Sequence, residues 1–217
     1  MRNVERRTRE RRRARFIGLS FGALVIAIYI YTIKRVRQET FLDDFEIVSI
    51  IMFQLTLCIL KPDIVRTPHL FNEIIKLILQ RQFIFIKSKR LQLNRERAGE
   101  FYREHQEKFF YSRLVHYMSC GPISCHILGR ENAIQEWRSM LGPTKIYKTI
   151  FEAANTIRGQ HGVTDTRNCG HGSDSIETAQ REINFFFPEF DMKTISKYEN
   201  ISVNKLIFNQ DTLEHQL

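Results

Sequence analysis

Residues 53–63 read Phe-Gln-Leu-Thr-Leu-Cys-Ile-Leu-Lys-Pro-Asp. The run Phe53–Leu60 is apolar and β-leaning, and Lys61-Pro62-Asp63 stops it. It reads as a buried strand entering a loop. Working outward, Pro68 opens a helix with Leu70, Ile74, Leu77 and Ile78 on one face. Phe83–Leu93 sets Phe83 and Phe85 against Lys87 and Lys89, the alternation of a second strand. Helical patterns cross Arg95–His105 and Tyr111–Ser119. Gly121-Pro122 breaks the chain, and Ile123–Leu128 is a third strand. Glu131–Leu141 is helical and ends at Gly142-Pro143. Asp174 is placed to N-cap a last helix, with Glu177 as its capping-box partner and Ile176, Ala179, Ile183 and Phe186 as its apolar face. Strand, helix, strand, helices, strand, helix is the order of an α/β or α+β sandwich, helices packed on a small sheet.

The chain has 217 residues and a formal charge of +9. Its composition excludes a disordered, collagen-like or disulfide-framework protein. Residues 1–37 hold eleven Arg or Lys and two Glu, while the other 180 hold 22 basic and 22 acidic side chains. The folded part is therefore neutral. A uniform cationic field for nucleic acid is excluded, because sequence-independent affinity for a polyanion rests on a basic surface. Cys58, Cys120, Cys125 and Cys169 lack the spacing of a metal or redox site.

The basic excess flanks an uncharged stretch. Phe16–Ile33 reads FIGLSFGALVIAIYIYTI, preceded by eight Arg and followed by Lys34, Arg35 and Arg37. As a helix it is about 27 Å long, enough to span a hydrocarbon core. The sequence thus divides into a basic tip (1–15), a transmembrane helix (16–33), a linker (34–52), a globular domain (53–190) and a polar C-terminal tail (191–217). The stronger basic flank belongs on the cytoplasm-like side of a membrane.

The stretch that carries chemistry is Arg167-Asn168-Cys169-Gly170-His171-Gly172-Ser173-Asp174-Ser175. Glycine on both sides of His171 frees the backbone and opens the ring to a bulky ligand. A helix N-terminus follows within a few residues and favours anions. These features suit a nucleophilic imidazole meeting a phosphate. Glu182, eleven residues on, is placed to bond one ring nitrogen and leave the other free. Lys61, Arg138 and Arg158 are candidate phosphate contacts, although each taken singly is more often a solvated surface charge. No P-loop, dinucleotide fingerprint or zinc-protease motif is present.

Two resemblances extend this reading. Residues 53–190 resemble the nucleoside diphosphate kinases through LTLCILKPD, FYREHQEKFF, GPISCHILGRENAI, WRSMLGPT, TIRG, RNCGHGSDS and ETAQREINFFFPEF. GVTDTRN and FFPEF are similar to the divergent, mitochondrion-linked type six subgroup. Residues of about 10 to 46, through GALVIAIYIYTIKRVRQETFLDDFE, resemble a mitochondrial cytochrome c oxidase assembly factor, the coiled-coil-domain 56 protein.

The first resemblance implies a ferredoxin-like βαββαβ sandwich and a ping-pong phosphotransferase acting on nucleoside di- and triphosphates. His171 is then the nucleophile, Glu182 orients it and Ser173 supports Glu182. Lys61, Tyr102, Arg138, Thr144 and Arg158 surround the phosphates, Lys61 and Asn168 reach the ribose, and Phe110 stacks on the base. Magnesium (Mg2+) arrives with the nucleotide, held by phosphates and water. One region departs from the family. The segment between Thr144 and Arg158 is longer than the common form and lacks its Pro-Gly, which counts against hexamer assembly and full activity.

The second resemblance implies a mitochondrial, inner-membrane-anchored chain, and an alternative function as an assembly or interaction protein whose kinase-like domain is weakly active or inactive. Met52 stands directly before the kinase-like part, so translation from it would give a soluble mitochondrial or cytoplasmic kinase.

Overall fold

The computed structural model describes residues 53–198, 201 and 205–216. The basic tip, the transmembrane span 16–33 and the linker lie outside the described residues. Among those described, no helix is long and apolar enough to cross a membrane.

Strand β1 (Phe53–Leu60) enters helix α1 (Pro62–Val65), and α2 (Pro68–Gln80) follows at once. Then come β2 (Ile84–Gln92), α3 (Arg95–Phe101), a 3-10 turn (Arg103–His105) and α4 (Tyr111–Ser119). The chain continues through β3 (Pro122–Glu131), α5 (Ala133–Leu141), α6 (Ile146–Glu152) and α7 (Ile157–His161). It closes with β4 (Gly170–Gly172), α8 (Ile176–Phe186), a 3-10 turn (Met192–Lys197) and the short strands β5 (Ile207–Asn209) and β6 (Glu214–Gln216).

The main sheet has the order β2-β3-β1-β4 with every pair antiparallel. β1 lies between two strands and buries both faces, which is why it reads as a continuous apolar run. Leu55, Leu57 and Ile59 face a core shared with Ala98, Phe101, Leu114, Met118, Ile183 and Phe186. Cys58 and Leu60 face the other core, with Ile64, Ile74, Ile78, Trp137 and Leu141. Helices α3, α4 and α8 thus cover one side of the sheet and α1, α2 and α5 the other: the ferredoxin-like α+β arrangement.

Four features differ from the sequence reading. The first is β4, three residues long, two of them glycine, which carries no β signal. The second is α6, a helix within the lengthened segment. It forms because Ile146 and Thr149 bury one side of it. The third is the cap of α8. Ser175, in extended conformation, accepts the Thr178 N–H, one residue later than the expected Asp174.

The fourth is the C-terminal region, which is not a polar tail. β5 and β6 pair as a hairpin against β2. The N–H of Phe85 donates to His215 Nδ1 at 2.9 Å, and that of Ser88 to Glu214 Oε1 at 3.0 Å. The Ser88 hydroxyl donates to the Leu213 carbonyl at 2.6 Å. Strands of three residues alternate too briefly to be seen in sequence.

Candidate active site

His171 is the middle residue of β4 and pairs with Ile59 of β1. Its side chain therefore points to the side of the sheet where α3 and α8 lie. There its ring meets Phe101 edge-on with centroids 5.5 Å apart, and Tyr102 at 6.4 Å. The flanking glycines serve the opposite side, and the reason is space rather than the backbone freedom expected from sequence. A Cβ on Gly172 would stand 2.5 Å from Trp137 Cδ1, and one on Gly170 2.9 Å from Leu141 Cδ2. Helix α5 therefore lies directly on the β4 backbone. Trp137 Nε1 donates to the His171 carbonyl at 2.9 Å, which fixes the strand from below.

Glu182 projects from α8 and is almost wholly buried. Both its oxygens lie 2.9 Å from His171 Nε2, and the Ser173 hydroxyl donates to Oε2 at 2.6 Å. The N–H of Leu57 in turn donates to Ser173 Oγ at 3.2 Å. The carboxylate accepts, so Nε2 carries the ring proton and Nδ1 keeps the lone pair. A buried carboxylate held by a serine and an imidazole is a fixed orienting device, as its position depends on three elements at once.

His171 opens onto a cavity of about 930 Å³. Of the ten residues singled out from sequence, nine line it: Lys61, Tyr102, Phe110, Arg138, Thr144, Arg158, Asn168, His171 and Glu182. Ser173 lies behind Glu182. Lys61 follows β1, and its Nζ donates to Asn168 Oδ1 at 2.7 Å and to the Thr166 carbonyl at 3.1 Å. Burial, reinforced by the Arg158 charge, lowers its pKa to about 7. Arg158 Nε donates to the Asn168 carbonyl at 3.2 Å, Nη1 to that of Gly142 at 2.6 Å and Nη2 to that of Gly170 at 2.9 Å. It thus ties the β4 strand to the end of α5. Burial lowers its pKa to about 10, and the Arg138 charge adds to the effect. The Tyr102 hydroxyl is buried without a hydrogen-bond partner, and burial raises its pKa. A buried unpaired hydroxyl beside cationic side chains suits an anionic ligand.

Sequence reasoning missed Arg113 and Asp165, which also line the cavity. Arg113 stands one helical turn beyond Phe110, a spacing that could have revealed it. Asp165 lies within the GVTDTRN stretch, but nothing in its neighbours gave it a role. Among the described residues, no group of three or more His, Cys, Asp or Glu is arranged to hold a metal ion. In this cavity Glu182 is committed to His171 and Ser173, and Asp174, which accepts from Thr178, is one of the other carboxylates that line it. Those donors fit a hard cation that brings its own phosphate and water oxygens rather than a resident metal.

A ferredoxin-like sandwich with an oriented histidine in a cation-lined cavity defines a class of phosphate-handling proteins. The profile described as nucleoside diphosphate kinase matches residues 54–192, and the chain belongs to that family. It is 43% identical to nucleoside diphosphate kinase 6 of Xenopus tropicalis over 168 residues, 76% of this chain and 93% of the relative. The protein of that name from Danio rerio is 50% identical over 137 residues, covering 63% and 78%. The crystal structure of the Aquifex aeolicus nucleoside diphosphate kinase superposes with a TM-score of 0.60 at 38% identity, over 62% of this chain and 95% of that one. Residues 1–47 match a second profile, cytochrome c oxidase assembly factor 3.

Proposed function

We propose that this chain moves the γ-phosphoryl group of a nucleoside triphosphate to a nucleoside diphosphate through phospho-His171. The observation that carries this is the His171–Glu182–Ser173 chain at the floor of a cation-lined cavity. The Nδ1 lone pair forms the N–P bond while the P–O bond to the leaving diphosphate breaks, and the bonding electrons depart with its oxygen. The first product leaves, and an oxygen of the second diphosphate attacks phosphorus to regenerate the imidazole. Glu182 holds the ring proton at Nε2 and stabilises the charge that develops there. Lys61, Arg138 and Arg158 supply positive charge to the phosphates, Thr144 and Tyr102 hydroxyls to their oxygens, and Asn168 a ribose contact. Phe110 offers the base a π face, which any base can use. Magnesium, when bound with the nucleotide, would neutralise phosphate charge, and Asp174, a carboxylate lining the cavity, would accept from its water shell.

Incubation with labelled ATP should give an acid-labile, alkali-stable phosphoprotein, and His171→Ala should abolish it. If the wild type forms no such adduct with any triphosphate, the catalytic reading is wrong.

A second reading rests on the match of residues 1–47 to the assembly factor. In it, residues 16–33 anchor the chain in the inner mitochondrial membrane, and residues 53–190 act as a nucleotide-binding interaction domain. Nucleotide binding without phosphotransfer, together with co-purification with oxidase subunits, would favour it. Protease protection in sealed mitochondria tests the anchor and its orientation. A soluble species beginning at Met52 would argue against it.

A further inference from the structure

One ionised group at the cavity rim has no part in the chemistry above. Asp165 Oδ1 accepts the N–H of Ile146, the first residue of α6, at 3.0 Å. Its Oδ2 accepts from Lys145 Nζ at 3.1 Å. Its carbonyl accepts Asn168 Nδ2 at 2.9 Å. Lys145, the residue at the N-cap of α6, gives that helix no side-chain cap of its own, so Asp165 caps it from a distance of nearly twenty residues.

The same short loop holds the other walls. Arg113 Nε donates to Thr166 Oγ1 at 2.9 Å, Lys61 Nζ reaches the Thr166 carbonyl and Asn168, and Arg167 Nε pairs with Asp63 at 2.7 Å. On the other side of Lys145 stands Thr144, whose hydroxyl is 3.4 Å from Arg158 Nη1. A lengthened segment on its own loosens a cavity rim, since each added residue gains freedom in the unbound state. Here the segment is fastened to the loop that also holds Lys61.

We propose that Asp165 is a positioning residue for the nucleotide: it fixes α6, and with it Thr144 and Lys145, to the loop 165–168, so the rim is formed before substrate arrives. This rests on the nucleotide reading of the cavity. The pair Lys145–Asp165 is well exposed, so its Coulombic part is small. The cap of the Ile146 N–H is the larger part.

The test uses the full chain with Asp165→Ala and Asp165→Asn. Hydrogen exchange of residues 146–152 is followed without nucleotide, and KM and kcat are measured with ADP and a triphosphate. In Asp165→Ala, exchange rises within α6 and KM rises about fivefold, with the loss falling on KM rather than kcat. Asp165→Asn retains an acceptor for the Ile146 N–H and recovers most of both effects. Exchange and KM equal to wild type would overturn the inference, as would an exchange rise spread evenly over the domain. If the wild type binds ADP but forms no phosphohistidine, the catalytic reading fails alone. ADP affinity and α6 exchange in the two variants then still decide the role of Asp165. If the wild type binds no nucleotide, both fail.

Discussion

At one edge of the main sheet lies β4, three residues long and two-thirds glycine, with α5 pressed on one face and α8 on the other. At the opposite edge lies β2, nine residues long, bulged between Phe85 and Lys87, with Lys87, Lys89 and Arg90 exposed. Each edge leaves backbone groups that could pair with another strand. At β4 the edge is too short to template anything, and the space saved by glycine is used to bring a histidine against a buried carboxylate. At β2 the edge is covered by the C-terminal hairpin, whose His215 and Glu214 side chains accept the N–H groups of Phe85 and Ser88. One edge carries the candidate site and the other is capped by a hairpin, so mutations at the two should separate activity from stability.

The largest expected effect is on chemistry. Glu182→Gln keeps the shape of the β4 edge but weakens the support of the imidazole proton, and should slow phosphohistidine formation by about a hundredfold. Rapid-quench measurement of the adduct checks this, with the thermal midpoint as control. A rate near wild type would mean that Glu182 only packs. Next is packing at the same edge. Gly172→Ala puts a Cβ against Trp137 and should cost about 2 kcal/mol, read by urea denaturation with an unchanged slope.

At the β2 edge, His215→Ala removes the acceptor for the Phe85 N–H. The expected loss is about 1.5 kcal/mol of stability with unchanged kcat, and a fall in kcat would break the separation of the two edges. The smallest effect is one of pH. Lys61 has its pKa lowered to about 7 by burial, and bound phosphate favours its charged form. Binding then takes up a proton above pH 7, so ADP affinity should fall about fivefold from pH 7 to pH 8. Calorimetry over that range should show a flat profile for Lys61→Gln. A flat wild-type profile would show Lys61 charged in the empty site.

How much was legible follows from how each element is stabilised. β1, α2, β2 and α5 bury long apolar faces with regular spacing, so their pattern survives in sequence. The cap of α8 lay one residue from its expected place, because Asp174 and Ser175 are both good caps and only backbone geometry chose between them. The helix α6 was not visible, since its sequence is apolar on more than one side. Tyr147 and Phe151 are exposed while Ile146 is buried, so no single stripe marks an inward face. In the candidate site the contacts of Glu182 with His171 and Ser173 were legible from the motif, but those of Arg158 with the Gly142 and Gly170 carbonyls and of Asp165 with Ile146 were not.

The sequence by itself determined the alternation of strands and helices, the confinement of net charge to residues 1–37, and the residue types from which a phosphate site could be made. These depend on composition and local periodicity, which a chain carries unfolded. Only the tertiary structure decided that His171 stands on a strand, that its glycines make room for Trp137 and Leu141, that Nε2 is the protonated nitrogen, and that Asp165 caps a helix nineteen residues away. It also turned the C-terminal stretch into a cover for β2. Each of these joins residues distant in the chain, and such contacts exist only once β1 has gathered both cores around itself.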